Sequence, residues 1–373
     1  MGEVNGKPTG IAFLSGGSAL QGLAGYFASS GYQASHVISV FDSGGSSGRL
    51  RDVCTGIAVG DIRKRLTAIG DRSKPAARPI INLFSSRLPS DEPTHKVRRH
   101  VEAAARGEGQ LLGGLHNGAC VEVAESLGKL LTTLPDGFDW CDGSVGNLIL
   151  YGRYLREGDW QSALQWAHRR LAACGFVFPV STASADLAAL LANGRRIVGQ
   201  AQITSETDPI ESPIEDLYLQ PKEANAVAAD ENAVAALRQA RAIVYSWGSF
   251  YTSVLPSLLV DGIATAICEQ NCPKVLLLNP VRDSETQGKS PADLVREIRT
   301  YAERSGSGAN PAHPAVTHVV ALRLPNGNSF YQPVDRNEFE ALGIEVIEIE
   351  SPKLPTEPQL AQVATKLREL AAA

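Results

Sequence analysis

The sequence predicts an α/β protein: a doubly wound, mainly parallel sheet with an inserted helical subdomain. Three observations carry this prediction. Short apolar runs alternate with amphipathic, Ala- and Leu-rich stretches towards both ends of the chain, the pattern of strand–helix–strand units. The first unit reads strand, Gly turn, helix, strand, which requires parallel pairing through a right-handed crossover. From Asp61 to about Cys174 helical signals dominate and strand-like runs are absent. The expected division is a sheet core over 8–60 and 175–373 and a helical insertion over 61–174.

The elements follow in order. "GIAFL" is the first strand and ends in the turn "SGGS"; "ALQGLAGYFASSG" has helical spacing and stops at Gly31. "HVISVF" is the second strand. The insertion contributes "DIRKRLTAIG", "HKVRRHVEAAARG", "ACVEVAESLGKLLTTL", "VGNLILYGRYLREG" and "WQSALQWAHRRLAAC". Strands resume with "GFVFPVS", "RRIVGQAQI" and "IEDLYLQ", the last two joined by the acidic, Pro-containing loop "TSETDPIESPIED". "ENAVAALRQA" is a helix, "RAIVYSW" a strand, and "GSFYTSVLPSLLVDGIATAI" turns into a helix. "KVLLLN", "THVVALRL" and "IEVIEIE" are the late strands, and "EPQLAQVATKLRELAAA" closes the chain.

Bulk properties narrow the function. The 373 residues are 43% hydrophobic and 20% charged, an ordinary globular balance. A net charge of −5 supplies no electrostatic reason to expect nucleic acid or an anionic membrane. No apolar run approaches the roughly 20 residues of a membrane helix. "MGEVNGKPTG" lacks the pattern of a signal peptide, so the expected location is the cytoplasm. The six cysteines stand at no framework spacing and are expected as reduced thiols, Cys268 and Cys272 included.

Chemistry is expected in the loops after four strands: "SGGSALQG", "DSGGSSGRLRD", "GSFYTS" and "NPVRDSETQG". Ligands of such sheets bind beyond the carboxyl ends of the strands. Gly allows close backbone approach, successive N–H groups form an anion nest, and hydroxyls add donors. The shared meaning is a phosphate-bearing ligand held from several sides. The candidates are Gly16, Gly17 and Ser18; Ser43, Gly44, Gly45, Ser46, Ser47 and Arg49; Arg63; Ser144 and Asn147; Gly248, Ser249, Tyr251, Thr252 and Ser253; and Asn279. Asp42, at a strand end, suits Mg2+, a ribose hydroxyl or a proton, or else an ordinary Asx turn. Asp61 is either catalytic or a helix cap. "SGGSALQG" is neither GxGxxG nor a Walker loop, which argues against a dinucleotide oxidoreductase.

At these residues the chain resembles the family of 2-phospho-L-lactate transferase (CofD) and the bacterial YvcK proteins, the YvcK branch more closely. That branch's "DDGGSSGRLR" is similar to Asp42–Arg51, "PPGDIRNCL" to Ala58–Leu66 and "GHSFGNL" to Asp142–Leu148. Its "GPGSLYTSIIPNLL" is similar to Ser246–Leu259, and "NVMTQPGETDGYSVSDHL" to Asn279–Val295. Departures are Ala19 for a usual Gly, Ser43 for the second Asp, and Gly143 for His. The resemblance implies a Rossmann-like fold, a homodimer, and a nucleotide diphosphate conjugate as ligand. The conjugate is a phospholactyl nucleotide in a Mg2+-dependent phosphotransferase, or a UDP-sugar in a non-catalytic regulator of carbon metabolism or the cell envelope.

Overall fold

A computed structural model of the chain describes residues 10–205, 210–222, 226–280, 283–306, 312–323, 334–351 and 357–373. The N-terminal stretch and part of the "TSETDPIESPIED" connection lie outside the described residues. The strands are β1 (Ile11–Ser15), β2 (Ser35–Ile38), β3 (Phe176–Pro179), β4 (Ala185–Leu191), β5 (Arg196–Val198), β6 (Ile214–Pro221), β7 (Ala242–Tyr245), β8 (Lys274–Leu277), β9 (His318–Arg323) and β10 (Glu345–Glu350). Helix α1 (Gln21–Ser29) joins β1 to β2. Between β2 and β3 run α2 (Gly45–Val53), α3 (Gly60–Ile69), α4 (Ala77–Ser85), α5 (Thr94–Ala105), α6 (Asn117–Thr133), α7 (Val145–Glu157) and α8 (Trp160–Arg170). The short α9 (Gln200–Ile203) follows β5, and α10 (Glu231–Arg238) precedes β7. Helices α11 (Ile263–Cys268) and α12 (Pro291–Ser305) flank β8, α13 (Arg336–Ala341) precedes β10, and α14 (Glu357–Ala372) ends the chain.

A seven-stranded sheet has the order β10-β9-β8-β7-β1-β2-β3, and its neighbours pair in parallel throughout. The chain winds outward from β1 to β3 on one side, then returns to β7 on the other side of β1 and continues to β10. The direction of winding therefore reverses between β1 and β7, where Leu14 pairs with Tyr245 at the carboxyl ends. This reversal is the place where an open α/β sheet leaves a crevice for ligand. A separate three-stranded antiparallel sheet has the order β5-β4-β6.

Strands β1, β2, β7 and β8 are buried along their whole lengths, as both-faced coverage of a parallel sheet demands. Alternation along β1 divides the core. Ile11 and Phe13 join Leu23 and Phe27 of α1 and Val363 and Leu367 of α14. Ala12 and Leu14 face the other way and join a cluster that reaches Ile62, Leu66, Leu127 and Leu150 of the helical excursion.

Several elements depart from the sequence-based expectation. The "DSGGSSGRLRD" segment is largely helical, as α2, not a flexible loop. Leu50 is buried on its inner face, and the serines and Arg51 find internal hydrogen bonds, which offsets its poor propensity. Strand β4, "ADLAALL", has no counterpart among the expected elements; it carries strong helix formers, yet it pairs on both sides in the antiparallel sheet. In "RRIVGQAQI" the strand is only Arg196–Val198, because Gly199, at φ 99°, turns the chain into α9. The helix expected after β7 is broken. A π-helical turn covers Phe250–Val254, a 3-10 turn with Pro256 covers Leu255–Leu259, and Gly262 at φ 99° precedes α11.

Candidate functional site

A cleft of about 360 Å³ lies over the reversal between β1 and β7. Gly16, Gly17, Ser18 and Ala19 line it from the β1 loop, and Asp42 and Gly44 from the β2 loop. Asp61 and Lys64 come from the first turns of α3, and Trp247, Gly248, Ser249 and Ser253 from the β7 loop. Gln200, Ala201 and Thr204 close the far wall. Thus Gly16, Gly17, Ser18, Asp42, Gly44, Asp61, Gly248, Ser249 and Ser253 are brought together, though they come from four separate segments.

Glycine in the β1 loop answers first to packing. A Cβ on Gly17 would lie 2.2 Å from Asp61 Oδ1 and 2.9 Å from Asp61 Cα, and one on Gly16 would lie 2.7 Å from Ser253 Oγ. The absence of side chains lets the start of α3 and the β7 loop close on β1. Among the described residues, no hydrogen bond engages the N–H groups of Gly16, Gly17 and Ser18. They form the open donor edge of the cleft.

The β7 loop is different. Asn279 Oδ1 accepts from the Gly248 N–H at 2.9 Å, and Asn279 Nδ2 donates to the Gly248 carbonyl at 2.7 Å. The Phe250 N–H donates to Asp283 Oδ2 at 2.8 Å, and the Tyr251 and Thr252 N–H groups both donate to Glu285 Oε2 at 3.0 Å. Thr252 Oγ1 donates to Glu285 Oε1 at 2.6 Å, and the Tyr251 hydroxyl donates to Glu297. Tyr251, Thr252 and Asn279 therefore stand behind the loop and not among the lining residues. Burial and the neighbouring Asp283 charge push the Glu285 carboxyl up to about 8.

The two acidic candidates meet in the cleft. Asp42 Oδ1 accepts from the Gly44 N–H at 2.7 Å, the Asx turn that leads into α2. Burial, reinforced by Asp61, raises the Asp42 pKa despite that hydrogen bond. Asp61 lies in the first turn of α3, where the helix dipole favours a carboxylate. Its Oδ1 accepts from Lys64 Nζ at 3.1 Å.

Other candidates build the wall behind α2. Asn147 Nδ2 donates to Ser46 Oγ at 3.0 Å and Ser47 Oγ at 3.1 Å, while Asn147 Oδ1 accepts from Arg63 Nε at 3.0 Å. Arg63 also donates to the Phe84 carbonyl. Ser144 is buried at the start of α7. Gly45 is exposed at the start of α2, with φ 52°. Arg49 turns to Asp139 and the Cys141 carbonyl. Ser43 Oγ accepts from the Ala201 N–H at 3.1 Å, tying the β2 loop to α9. Lys64, Gln200, Ala201 and Thr204 were not singled out by the sequence. Lys64 carried a signal, one helical turn after Asp61; the α9 residues carried none.

Compared with known proteins, residues 11–351 match the family model described as 2-phospho-L-lactate transferase CofD. A curated relative from Deinococcus radiodurans is 28% identical over 296 residues, which is 79% of this chain and 51% of that protein. The chain thus spans about half the length of that relative. The gluconeogenesis factor of Halalkalibacterium halodurans is 26% identical over 344 residues, 91% of this chain and 89% of that protein. The crystal structure of protein BH3568 from Bacillus halodurans has a TM-score of 0.71 at 23% identity, covers 97% of this chain and 100% of its own, and shares the fold.

Proposed function

The chain belongs to the 2-phospho-L-lactate transferase CofD family, and from that membership we propose that it binds a nucleotide diphosphate conjugate with the diphosphate on the β1 loop. The observation that carries this reading is the set of unengaged N–H groups at Gly16, Gly17 and Ser18, facing a cleft at the winding reversal. Such a row of donors suits phosphate oxygens. The hydroxyls of Ser18, Ser249 and Ser253 add donors around the same space. The name of the Halalkalibacterium relative, gluconeogenesis factor, supports a regulatory use of the bound conjugate; the UDP-sugar is the ligand class that the resemblance to the YvcK branch implies.

The test is isothermal titration with UDP, GDP and a UDP-sugar, joined to hydrogen exchange. Binding with slowed exchange over 15–20 is the expected result. Binding that leaves exchange there unchanged would move the site elsewhere, and absence of binding to every nucleotide would end this reading.

One observation favours a second reading, a phosphotransferase. Asp42 is a carboxyl in the cleft whose raised pKa suits it to receive a proton. An acceptor hydroxyl would attack the distal phosphorus of a phospholactyl nucleotide, forming the new P–O bond. The phosphoanhydride bond would break, the nucleoside monophosphate would leave with the electron pair, and Asp42 would take the hydroxyl proton. Release of nucleoside monophosphate on adding donor and a hydroxylated acceptor, lost in Asp42→Asn, tests it.

A further inference from the structure

Mg2+ is the cofactor expected from the sequence, at Asp42. The donor set argues for a different source of positive charge. Among the described residues no group of three or more His, Cys, Asp or Glu side chains is arranged to hold a metal. The two cleft carboxylates are already engaged: Asp42 Oδ1 by the Gly44 N–H and Asp61 Oδ1 by the Lys64 ammonium. Ser43, where the similar family block has its second Asp, turns its hydroxyl to Ala201.

Two cations occupy the same region. Lys64 is the cationic side chain among the described residues that line the cleft, and it is a third exposed, so its ammonium can meet a ligand while it still holds Asp61. Arg65, the next residue, points the other way and is fully buried beneath the β1 loop. Its Nη2 donates to the Gly16 carbonyl at 3.0 Å and approaches Ser15 Oγ at 3.3 Å. Its Nε and Nη1 have no hydrogen-bond partner. No carboxylate is hydrogen-bonded to this buried guanidinium, and the nearby Asp61 offsets its field only through space, so positive potential remains behind the donors of Gly16 and Gly17. The block that Ala58–Leu66 resembles, "PPGDIRNCL", has neutral residues at both positions.

We infer that this cleft binds the diphosphate of its ligand without a divalent cation: Lys64 supplies the contact charge and Arg65 the field behind the loop. The inference rests on the cleft reading proposed above and concerns the source of positive charge within it. Lys64 is a binding residue here, and its bond to Asp61 holds it in place until an anion arrives. The ammonium has three donors, enough to keep one on Asp61 while presenting the others to phosphate oxygens.

The experiment is titration of the full chain with UDP, GDP and inorganic diphosphate, each in EDTA and in excess Mg2+, for wild type and Lys64→Asn. Wild type should bind in EDTA at least as tightly as in Mg2+. Lys64→Asn should bind about tenfold more weakly in EDTA, the loss of a charge-assisted contact, and should regain affinity when Mg2+ is added. Wild-type binding that requires Mg2+, or Lys64→Asn binding normally in EDTA, would overturn the inference and leave the cleft reading intact. Failure of all three probes to bind under either condition would overturn both. Lys64→Gln, measured beside it with melting curves for each variant, separates a lost contact from a lost fold.

Discussion

Glu285 holds three hydrogen bonds of the β7 loop with a carboxyl that burial and Asp283 push up to about 8. The folded chain therefore prefers it protonated, whereas the unfolded chain ionises it in the ordinary carboxylate range. Its contribution is full below that range and is lost as pH rises through about 8. Wild type should melt at progressively lower temperature from about pH 5 to about pH 8.5, and Glu285→Gln should flatten that decline. Parallel profiles for the two proteins would show that Glu285 is not the titrating group. Gly17 gives a second residue-scale expectation. An alanine there would push a methyl to within 2.9 Å of the α3 backbone at Asp61. Urea denaturation of Gly17→Ala should show a loss of about 1–3 kcal/mol, the usual cost of overpacking; unchanged stability would mean that α3 does not close on β1 as described. Legibility at this scale was uneven. The glycines of "SGGS" announce a close approach, but local sequence cannot say whether helix or ligand is what approaches. Lys64 is marked in the sequence only by standing one helical turn after Asp61, a spacing that a solvated helix face shows as well. The N–H donors of Phe250, Tyr251 and Thr252 look free in the local sequence because their acceptors, Asp283 for the first and Glu285 for the other two, come from the loop after the next strand.

Helices α2, α3 and α7 meet through one amide. Asn147 joins Ser46 and Ser47 to Arg63, so its removal strands two buried hydroxyls and takes one acceptor from a half-buried guanidinium. Asn147→Ala should lower unfolding free energy by about 2–3 kcal/mol, as lost buried hydrogen bonds do. UDP affinity, measured below the melting transition, should change little. A large affinity loss at unchanged stability would return Asn147 to the ligand. Elements with clear periodicity were legible: β1, β7, β8, α6 and α8 fall where apolar spacing puts them. Those that tertiary contacts impose were not. Strand β4 takes its conformation from partners on both sides and from Arg51, which donates to the Ala185 carbonyl. Helix α2 depends on the same arginine, which also reaches the Asp42 carbonyl and the Asp186 carboxylate. Neither dependence is local in sequence.

Strand order belongs to the whole molecule, and the alternation of elements foretold its doubly wound character without fixing which strands would be neighbours. Placing β7 beside β1 needed the register itself. The last helix is integral to that sheet: Val363 and Leu367 of α14 share a core with Ile11, Phe13, Val244 and Val275. Ending the chain after Ser351 should uncover that face, with dye-binding apolar surface and aggregation on expression as the readout; a soluble, cooperatively melting product would show that α14 is dispensable. The two sides of the reversal also differ in a way that gives the crevice a polarity. On the β7 side the carboxyls of Asp283 and Glu285 act as tethered competitors, present at an effective concentration of about millimolar or more, which a scarce free phosphate cannot outbid. On the β1 side Asp61 packs against Gly17, yet among the described residues no carboxylate accepts from the N–H groups of Gly16, Gly17 and Ser18. The two walls of the crevice therefore differ in what they leave to solvent: the Phe250, Tyr251 and Thr252 donors are spent inside the protein, and those of Gly16, Gly17 and Ser18 are not, an asymmetry set by the fold before any ligand arrives.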